Sequence, residues 1–548
     1  MKLPPLTVPL PTPEEMRRWD EAAAEQFGIP TLLLMENAAQ AALRELKRHV
    51  ALRSETKILI FTGKGNNGGD GAALARLLYD EGCTVLVCAL AAPAHIQGTA
   101  AQHTAIARGV GVNFLDASHD DGPELPLEWH APHVIIDAIV GTGLQDNLRP
   151  KELAYVSLIN QWREHAFVFS LDIPSGLCGL TGKARPEAVK AHATVCFEAG
   201  KPGLFFPEAA EYTGHVAVRR VGIPLAVRTM IAPSWELLAP EKGGWPRPSS
   251  FRHKGKAGKV LIIGGSEGMS GAPFLAALGS LRVGAGLVHV ARPGALPCPG
   301  CFPEIMEHLV GTGTRWEEEN SAELERITNM IAPDAVVIGP GMGRTHAVQY
   351  LVKVLLEKTE RAPIVIDADA LYCFRSPRME PTPGSAENSA APLPLSLLGS
   401  ADILTPHPGE MAGLMPVHST AAGADHHSRI LSVQNNRPGA LAALTAACEA
   451  VLVLKGPGTL IGKKDAATIL CPTAVPTLAV GGSGDVLAGM CGALAATGMA
   501  SFDAAKLAVY LHARAGELLA QKSPLGHLAR DIADTVPLAW NELCKRSV

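Results

Sequence analysis

The segment from Gly63 to Gly71 reads Gly-Lys-Gly-Asn-Asn-Gly-Gly-Asp-Gly and follows an apolar run. Glycines allow positive φ and let backbone N–H groups face an anion. A helix N-terminus after such a loop adds partial positive charge, so the expected ligand is a phosphate or pyrophosphate. A plain crossover would not need Asn66, Asn67 and Asp70, and these residues favour a functional site.

Other oxygen-bearing side chains in the first half also follow apolar runs. Asp137 ends one run, and Asp172 and Ser175 follow another. Ligands of open α/β sheets bind beyond the carboxyl ends of the strands. Asn67, Asp137 and Ser175 could therefore meet around a hard cation, and helix capping by the two aspartates is the alternative interpretation.

A second glycine-rich segment, from Ala479 to Gly489, reads Ala-Val-Gly-Gly-Ser-Gly-Asp-Val-Leu-Ala-Gly and leads into an apolar stretch. Gly482 to Gly484 can offer N–H donors to charge developing on a phosphate. Asp485 is placed to take a proton from a hydroxyl that attacks a terminal phosphate. This segment therefore predicts phosphoryl transfer.

Alternating strands and helices must position these residues. Continuous apolar runs bounded by glycine or polar residues are typical of strands buried on both faces of a parallel sheet. The predicted strands are 57–62, 84–88, 133–137, 166–170, 259–263, 286–290, 335–338, 363–367 and 451–454. A helix over 70–81 gives a βαβ pattern. Two stretches, 376–394 and 417–438, are predicted to be solvated loops.

The 548 residues exceed one ordinary core,. We expect an α/β fold with two three-layer α/β/α domains, at 1–225 and 251–548, joined by a Pro- and Gly-rich linker at 226–250. A net charge of −5 argues against nucleic-acid binding by phosphate neutralisation,. No apolar run reaches the ~18 residues of a membrane span.

Eleven cysteines in no framework spacing predict reduced thiols in a cytoplasmic protein,. The pair Cys298 and Cys301 lacks the second ligand pair that a structural zinc site needs.

Residues 12–225 resemble the epimerase domain of the NAD(P)H-hydrate repair enzymes, which has a Rossmann-like fold. The matching segments are Met16-Arg-Arg-Trp-Asp20, Leu34-Met-Glu-Asn37, Asn66 to Gly71, Asp172-Ile-Pro-Ser-Gly176 and Lys201-Pro-Gly203. The resemblance implies that Asp172 contacts the substrate as the acid/base group, and that Asn67, Asp137 and Ser175 bind potassium. It further implies substrate contacts at Asn66, Asn67, Gly68, Gly69, Asp70, Gly141, Thr142, Gly143, Leu144, Gln145, Asp146 and Asn147.

Residues 240–545 resemble the ribokinase-like dehydratase domain of the same enzymes. Besides the Gly-Ser-Gly-Asp turn, the matching segments are His253-Lys-Gly255, Gly264-Gly-Ser266, Gly271-Ala272, Pro303-Glu304, Gly339-Pro-Gly-Met-Gly343, Asp367-Ala-Asp369, Thr405-Pro-His-Pro-Gly-Glu410 and Lys455-Gly-Pro-Gly-Thr459. The resemblance implies that Ala272, Gly343, His407 and Asp485 contact the hydrate. It implies nucleotide contacts at Lys455, Gly456, Pro457, Gly458, Thr459 and Gly484, with Asp485 as catalytic base and magnesium at the phosphates,.

The implied activity is repair of hydrated NADH and NADPH (NADHX and NADPHX). One domain would interconvert the R and S hydrates, and the other would dehydrate the S hydrate through a phosphorylated C6 hydroxyl. The fused layout favours ADP as the nucleotide and leaves ATP open, and relatives suggest a homo-oligomer. The segment 472–476 departs from the family's Thr-Gly-Asn pattern, and His192 replaces a frequent Asp.

Two other interpretations remain open from the sequence. One is a ribokinase-like kinase for a small alcohol fused to a non-catalytic binding domain. The other is a scaffold like those of RNA decay, in which the first fold is kept for binding alone. The presence of Asp172 and of the Asn66–Asn67 pair argues against the scaffold.

Overall fold

The structure is a computed structural model that describes residues 5–119, 124–144, 146–240, 245, 254–298, 300, 303–358, 360–375, 391–415 and 426–544. The chain forms two compact units. The first unit is Pro9–Leu237, and the second unit comprises the described residues after Leu237 together with those before Pro9.

Strand β1 (Thr7–Pro9) spans the first division of the chain, and β9 (Trp235–Leu238) spans the second. Between them the first unit contains α1 (Pro13–Phe27), α2 (Thr31–His49), β2 (Lys57–Thr62), α3 (Asn66–Asp80), β3 (Thr84–Ala89), α4 (Gly98–Gly109), β4 (Asn113–Asp116), β5 (Val134–Ala138), α5 (Pro150–Trp162), β6 (Phe167–Leu171), β7 (Ala193–Phe197), α6 (Ala210–Thr213), β8 (His215–Arg219) and α7 (Leu225–Met230).

The first unit is built on a parallel sheet of seven strands in the order β4-β3-β2-β5-β6-β7-β8. Side chains alternate between the faces of a strand. Ile58 and Ile60 pack with α2 and α3 on one face, while Leu59 and Phe61 pack with α5 on the other. The strand order reverses between β2 and β5, and a crevice at such a switch point is where ligands of these folds bind.

The second unit continues with β10 (Lys259–Ile263), α8 (Ala272–Val283), β11 (Leu287–Pro293), β12 (Ile305–Val310), α9 (Asn320–Ile331), β13 (Ala335–Ile338), α10 (His346–Leu356), β14 (Ile364–Ile366), β15 (Ile403–Leu404), α11 (Pro408–Leu414), α12 (His426–Asn435), α13 (Arg437–Ala447), β16 (Val451–Leu454), β17 (Thr459–Gly462), β18 (Thr468–Cys471), α14 (Ser483–Ala496), α15 (Ser501–Ala520) and α16 (Ala529–Cys544).

In the second unit, strands β10 to β18 run in the order β18-β17-β16-β15-β14-β13-β10-β11-β12. Val260 and Ile262 pack against α8, α14, α15 and α16. Leu261 and Ile263 are fully buried as well, so both faces of β10 are covered. The order reverses between β10 and β13, which places a second switch point at the ends of these strands.

The predicted fold class, two α/β domains with parallel sheets, is confirmed. The division of the chain falls inside the predicted linker 226–250, yet part of that segment forms α7 and β9. The predicted loop 417–438 is also partly helical, because α12 begins at His426 and Arg437 begins α13. None of the described helices has the length and hydropathy needed to cross a bilayer.

Candidate functional sites

A cavity of about 850 Å³ lies at the switch point of the first unit. It is lined by these predicted substrate residues: Asn66, Asn67, Asp70, Gly141, Thr142, Gly143, Leu144, Asp146, Asn147 and Asp172. Gly68 and Gly69 lie in α3 and do not line it. Gln145 lies outside the described residues.

The glycines of the segment from Gly63 to Gly71 were predicted to adopt positive φ, and this prediction is wrong. Among the described residues, no glycine between Gly63 and Gly71 has a positive φ. These glycines permit close packing instead: a Cβ on Gly68 would lie 2.1 Å from the Gly63 carbonyl oxygen. Helix α3 starts directly at Asn66, with no side-chain cap from Gly65. Its first N–H groups therefore remain suited to an anion.

Asp172 follows β6 and has a φ of 63°, a conformation that non-glycine residues rarely adopt,. Its Oδ1 atom accepts a hydrogen bond from the Phe197 backbone N–H at 3.2 Å and forms an ion pair with Lys201. Burial alone would lower the pKa of Lys201, but the neighbouring Asp172 carboxylate outweighs it and the pKa is raised. The site thus holds a buried ammonium against its candidate acid/base group.

Two further carboxyls face the same cavity. Burial raises the pKa of Asp20 to about 6, opposed by the charge of Lys201. Burial, and then the charges of Asp172 and Asp20, raise the pKa of Asp70 well above its usual range. Asp20 and Lys201 stood in the matching segments, but sequence reasoning gave them no role. Their signal is burial, which becomes visible only when the sheet is assembled.

Basic side chains also line the cavity, at Arg17, Lys64 and Arg149. Sequence reasoning assigned no role to any of them, although Lys64 lies within the glycine-rich segment. Arg17 and Arg149 are paired with Glu21 and Glu152, so Lys64 and the N-terminus of α3 are the groups here best placed to receive the phosphates of a ligand.

The predicted potassium ligands lie at the ends of neighbouring elements. The fully buried Asp137 accepts hydrogen bonds at 2.8 Å from the Ser170 hydroxyl and from the Ser175 backbone N–H. Burial raises the pKa of Asp137, while its bonds from Ser175 lower it. Asn67 is buried, and neither polar atom of its side chain has a hydrogen-bond partner among the described residues. A cation ligated by the Asn67 amide oxygen would satisfy that oxygen, and the side-chain amide nitrogen would still need an acceptor,.

In the second unit, the loops after β10 and β13 meet the start of α8. The Ser266 hydroxyl donates to the Gly341 carbonyl oxygen at 2.8 Å, and a Cβ on Gly341 would lie 3.2 Å from the Cβ of Ala272. The Gly343 N–H donates to Asp369 at 2.9 Å. The predicted hydrate contacts Ala272 and Gly343 are therefore brought to one switch point.

Helix α14 begins after Gly482, whose φ of 87° requires the freedom of glycine,. Asp485 lies in its first turn, where burial and the charge of Asp367 raise its pKa to about 7. A Cβ on Gly484 would lie 3.1 Å from the Lys455 Nζ atom. The candidate base and two of the predicted nucleotide contacts are therefore adjacent.

Lys455 connects several acidic groups at this site. Its Nζ atom lies 2.8 Å from the Asp367 Oδ1 atom and 3.8 Å from the Glu410 Oε2 atom. Burial lowers the pKa of Lys455, but these carboxylates outweigh it and raise the pKa. Burial raises the pKa of Glu410 to about 7 against the opposing charge of Lys455. Asp367 and Glu410 were recognised as parts of motifs but received no role.

His407 lies at the N-terminus of α11 and accepts hydrogen bonds from the Gly409 and Glu410 N–H groups at 3.0 and 3.3 Å. The His407 side chain is 56% exposed, and its partial desolvation and the charge of Lys455 lower its pKa, which favours the neutral ring. It lines a cavity of about 170 Å³ with Arg344 and Tyr372. His407 can therefore cap α11 and still face a ligand in this cavity.

Of the remaining predicted nucleotide contacts, Gly456 to Gly458 form the turn between β16 and β17, and Thr459 begins β17. Arg437 donates to the carbonyl oxygens of Pro457 and of Leu454, the latter at 3.1 Å. The Gly458 N–H donates to the Thr473 carbonyl oxygen at 3.2 Å. The divergent segment 472–476 thus still supports this turn through its backbone.

His192, the other departure, has a structural contact. Its Nδ1 atom accepts a hydrogen bond from the Val168 N–H at 3.0 Å, and its ring stacks on Phe167 at 5.2 Å. Burial and the charge of Arg163 lower its pKa. His192 therefore acts as a neutral acceptor between β6 and β7.

The cysteines of the described part of the chain are free thiols, and Cys298 is exposed. Cys301, like His253, lies outside the described residues.

Comparison with known proteins matches both halves of the chain to family models. Residues 260–538 match the model described as NAD(P)H-hydrate dehydratase, and residues 31–203 match the YjeF-related protein N-terminus. The bifunctional NAD(P)H-hydrate repair enzyme Nnr of Moorella thermoacetica is 34% identical over 553 residues, which cover 97% of each chain. That of Coxiella burnetii is 35% identical over 521 residues, covering 93% of this chain and 95% of the relative.

Among solved structures, the ADP/ATP-dependent NAD(P)H-hydrate dehydratase of Bacillus subtilis, co-crystallised with ATP and magnesium, is 29% identical. The alignment covers 54% of this chain and 94% of that one, with a TM-score of 0.41.

Proposed function

The chain belongs to the family of bifunctional NAD(P)H-hydrate repair enzymes, and from that premise we propose which residues carry out each half of the reaction. The chain is an NAD(P)H-hydrate epimerase and a nucleotide-dependent NAD(P)H-hydrate dehydratase. Relatives that match both halves do not support the alternative of a small-alcohol kinase fused to a binding domain. We assign the epimerase to the first unit and the dehydratase to the second.

For the epimerase, the observation that carries the proposal is the Asp172–Lys201 ion pair facing a cavity of about 850 Å³. Epimerisation at C6 breaks the C–O bond, releases the hydroxyl as water and adds water to the other face. Asp172 accepts the proton of the incoming water, and Asp20, with its pKa of about 6, donates one to the leaving hydroxyl,. The cavity-lining residues Asn66, Asn67 and Asp70, with those of the loop after β5 at 141–144, 146 and 147, hold the rest of the substrate.

We propose that Asn67, Asp137 and Ser175 hold potassium beside this cavity. All three offer oxygen ligands, as a hard cation requires. The buried amide of Asn67, which lacks a partner among the described residues, supports this assignment. A bound potassium ion would supply positive charge next to the phosphates of the hydrate.

For the dehydratase, Asp485 removes the proton from the C6 hydroxyl, whose oxygen attacks the terminal phosphate of the nucleotide. The bond from that phosphorus to the bridging oxygen breaks, and the nucleotide leaves with one phosphate fewer. Gly484 and the N-terminus of α14 stabilise charge on the transferred group. Phosphate then leaves from C6 with the C–O electron pair, a proton is lost, and the dihydronicotinamide is restored. Ala272, Gly343 and His407 position the hydrate.

Lys455 and the turn 456–459 hold the nucleotide, with ADP as the expected substrate and ATP as the other candidate. Asp367 and Glu410 flank Lys455 and are oxygen ligands of the kind magnesium prefers,. Magnesium, when bound, neutralises phosphate charge during transfer.

The cytoplasmic location and the homo-oligomeric state stay predictions. The location rests on the free thiols in the described part of the chain,. Size-exclusion chromatography with light scattering measures the oligomeric state directly.

The test is to incubate the protein with both epimers of hydrated NADH, magnesium, potassium and either ADP or ATP, and to follow absorbance of the dihydronicotinamide. The wild type is compared with Asp172→Ala and Asp485→Ala. We expect complete, nucleotide-dependent recovery in the wild type and none in Asp485→Ala. Asp172→Ala should recover one epimer quickly and the second only at its slow spontaneous rate.

Full recovery of both epimers at the wild-type rate in Asp172→Ala would contradict the proposed role of Asp172 in epimerisation. Nucleotide-dependent recovery in Asp485→Ala at more than a few per cent of the wild-type rate would contradict the role of Asp485 as catalytic base. Replacing potassium with sodium tests the cation: a slower second phase with an unchanged first phase supports the assigned ligands.

A further inference from the structure

A cluster of metal-ligating side chains lies in the first unit, outside the cavity described above. Glu45 and His49 are one helical turn apart on α2, and His215 is the first residue of β8. One carboxylate oxygen and one ring nitrogen from each histidine all lie within 4.8 Å of one another. A metal ion bound between them would link the C-terminal end of α2 to β8.

Neighbouring residues orient these side chains. The His49 Nε2 atom lies 3.3 Å from the Glu45 Oε1 atom, and the His49 ring stacks on Phe167 at 5.6 Å. The His215 ring is tilted against His49 at 5.4 Å. Glu45 is buried, whereas both histidines are exposed. The ligand set is therefore partly ordered and can be reached from solvent.

We propose that Glu45, His49 and His215 form a binding site for a divalent transition metal ion of the zinc class. Two imidazoles and one carboxylate suit zinc, cobalt or nickel, whereas magnesium and calcium prefer oxygen ligands alone. Three protein ligands leave at least one position for water. The Oε1 atom is the metal ligand from Glu45, because the Oε2 atom is engaged by Arg219 and lies 3.5 Å from Arg48.

The two arginines set limits on the site. Arg219 donates a hydrogen bond to the Glu45 Oε2 atom, and an Arg48 guanidinium nitrogen lies 3.5 Å from the same oxygen. The same positive charges oppose a divalent cation, which predicts a weaker site than one with two carboxylates. Removing the charge of the exposed Arg48 should therefore tighten binding.

The metal site shares helix α2 with the wall of the cavity in the first unit. The N-terminal half of α2 carries Leu34, Met35 and Ala38 into the cavity lining. Asn37 on the same helix donates to the Val221 carbonyl oxygen at 2.8 Å, just beyond β8. A metal that joins α2 to β8 would stabilise the wall without touching the substrate.

The test uses tag-free, full-length protein stripped with a chelator and titrated with cobalt(II), then with zinc. We expect a visible d–d absorption band from cobalt that zinc displaces. Zinc at a hundredfold above its dissociation constant should raise the Tm of the first unit by roughly 5 °C. Magnesium at the same concentration should give neither effect.

The variants are His49→Gln and His215→Gln, with His95→Gln as a surface histidine of the same unit outside the cluster. Each cluster variant should weaken zinc binding about tenfold or more, whereas His95→Gln should bind like the wild type. Arg48→Gln should bind more tightly than the wild type. Each variant's Tm without metal shows that it is folded.

Equal cobalt spectra and equal zinc stabilisation in the wild type and both cluster variants would overturn the proposal and leave adventitious binding only. Absence of any cobalt band in the wild type would also overturn it. These outcomes do not depend on repair activity, so the proposal can fail while the assignment of the two active sites stands.

Discussion

Burial raises the pKa of a candidate catalytic carboxyl group in each unit. It raises the pKa of Asp20 to about 6, and that of Asp485 to about 7. Each group can therefore exchange a proton near neutral pH, which an exposed aspartate does poorly. In each site the charge of a lysine, the buried Lys201 or the partly buried Lys455, opposes this increase in pKa.

Asp20→Asn should lower the rate of epimer interconversion about a hundredfold, because the substituted amide cannot donate a proton to the leaving hydroxyl. In the wild type the rate should fall as pH rises above about 6, where Asp20 loses its proton. The measurement is the slow phase of NADH recovery as a function of pH. Glu25→Gln, on the exposed side of the same helix, serves as control and should match the wild type; a similar loss there would contradict the role of Asp20.

The dehydratase should show the opposite pH dependence. A base acts in its ionised form, so kcat/KM should increase about tenfold per pH unit below pH 7 and level off above it,. The measurement is the nucleotide-dependent initial rate on purified S hydrate between pH 5 and pH 9. Asp485→Asn should be inactive across this range, and a wild-type profile that is flat between pH 6 and pH 8 would exclude Asp485 as the base.

The sequence alone identified those site residues that lie in a recognisable segment next to the end of a predicted strand or helix. Asp172, Asp485 and Asn67 each follow a predicted strand or precede a predicted helix, where ligands bind. Asp20 lies within α1, and Lys201 follows β7, a strand that the sequence analysis did not predict. Their importance depends on burial beside Asp172, which requires the tertiary structure.

At the scale of elements, close packing of helices at glycines positions both sites. In the first unit α3 approaches the loop after β2 at Gly68. In the second unit α8 and α14 cross where a Cβ on Gly489 would lie 1.9 Å from the Ala276 carbonyl oxygen. The Ser280 hydroxyl donates to the Gly489 carbonyl oxygen at 2.8 Å across this contact. Packing in the first turn of α3, and within the first two turns of α14, therefore fixes the N-termini that we propose to face the phosphates.

Gly68→Ala should destabilise the first unit by roughly 2 kcal/mol or more, because the added Cβ would lie 2.1 Å from a backbone oxygen that cannot move aside,. Epimerase activity should fall with it, while dehydratase activity on the S hydrate stays at the wild-type level. Differential scanning calorimetry and the two-phase NADH assay measure both effects. Gly109→Ala is the matched control, since nothing lies within 4 Å of its added Cβ and its φ is not positive. Equal Tm values for the two variants would contradict the packing argument.

Nine strands were predicted from continuous apolar runs, and the missed strands include the fully buried β7 as well as short or half-exposed ones. Strands 57–62, 259–263, 335–338 and 451–454 have the predicted bounds. Strand β15 has only two residues, and β12 has exposed residues between buried ends, so neither gives a continuous apolar run. The start of α3 was placed four residues late, because glycines in a helix resemble a loop when their packing partners are unknown,.

At the scale of the whole molecule, each half of the repair reaction is assigned to its own unit. The first unit has a parallel sheet, and the second has a mostly parallel sheet in which β17 runs antiparallel to β16 and β18. Each unit has its own switch point and its own cluster of charged side chains. The substrate of the second unit is the product of the first. The two activities are therefore expected to be separable by mutation and to communicate through free hydrate in solution.

This separation predicts that two variants, each with one inactive unit, complement each other when they are mixed. Asp485→Ala retains the epimerase and Asp172→Ala retains the dehydratase, so an equimolar mixture should convert both epimers of hydrated NADH completely. Asp172→Ala alone should stall after the S hydrate is consumed, and Asp485→Ala alone should restore no NADH. The measurement is the rate of the second phase as a function of the amount of Asp485→Ala added to a fixed amount of Asp172→Ala. A rate that increases in proportion to the added epimerase indicates exchange through solution, because a released hydrate finds either protein. A second phase that stays at the spontaneous rate would show that the hydrate passes between units of one molecule, and would contradict independent function of the two halves.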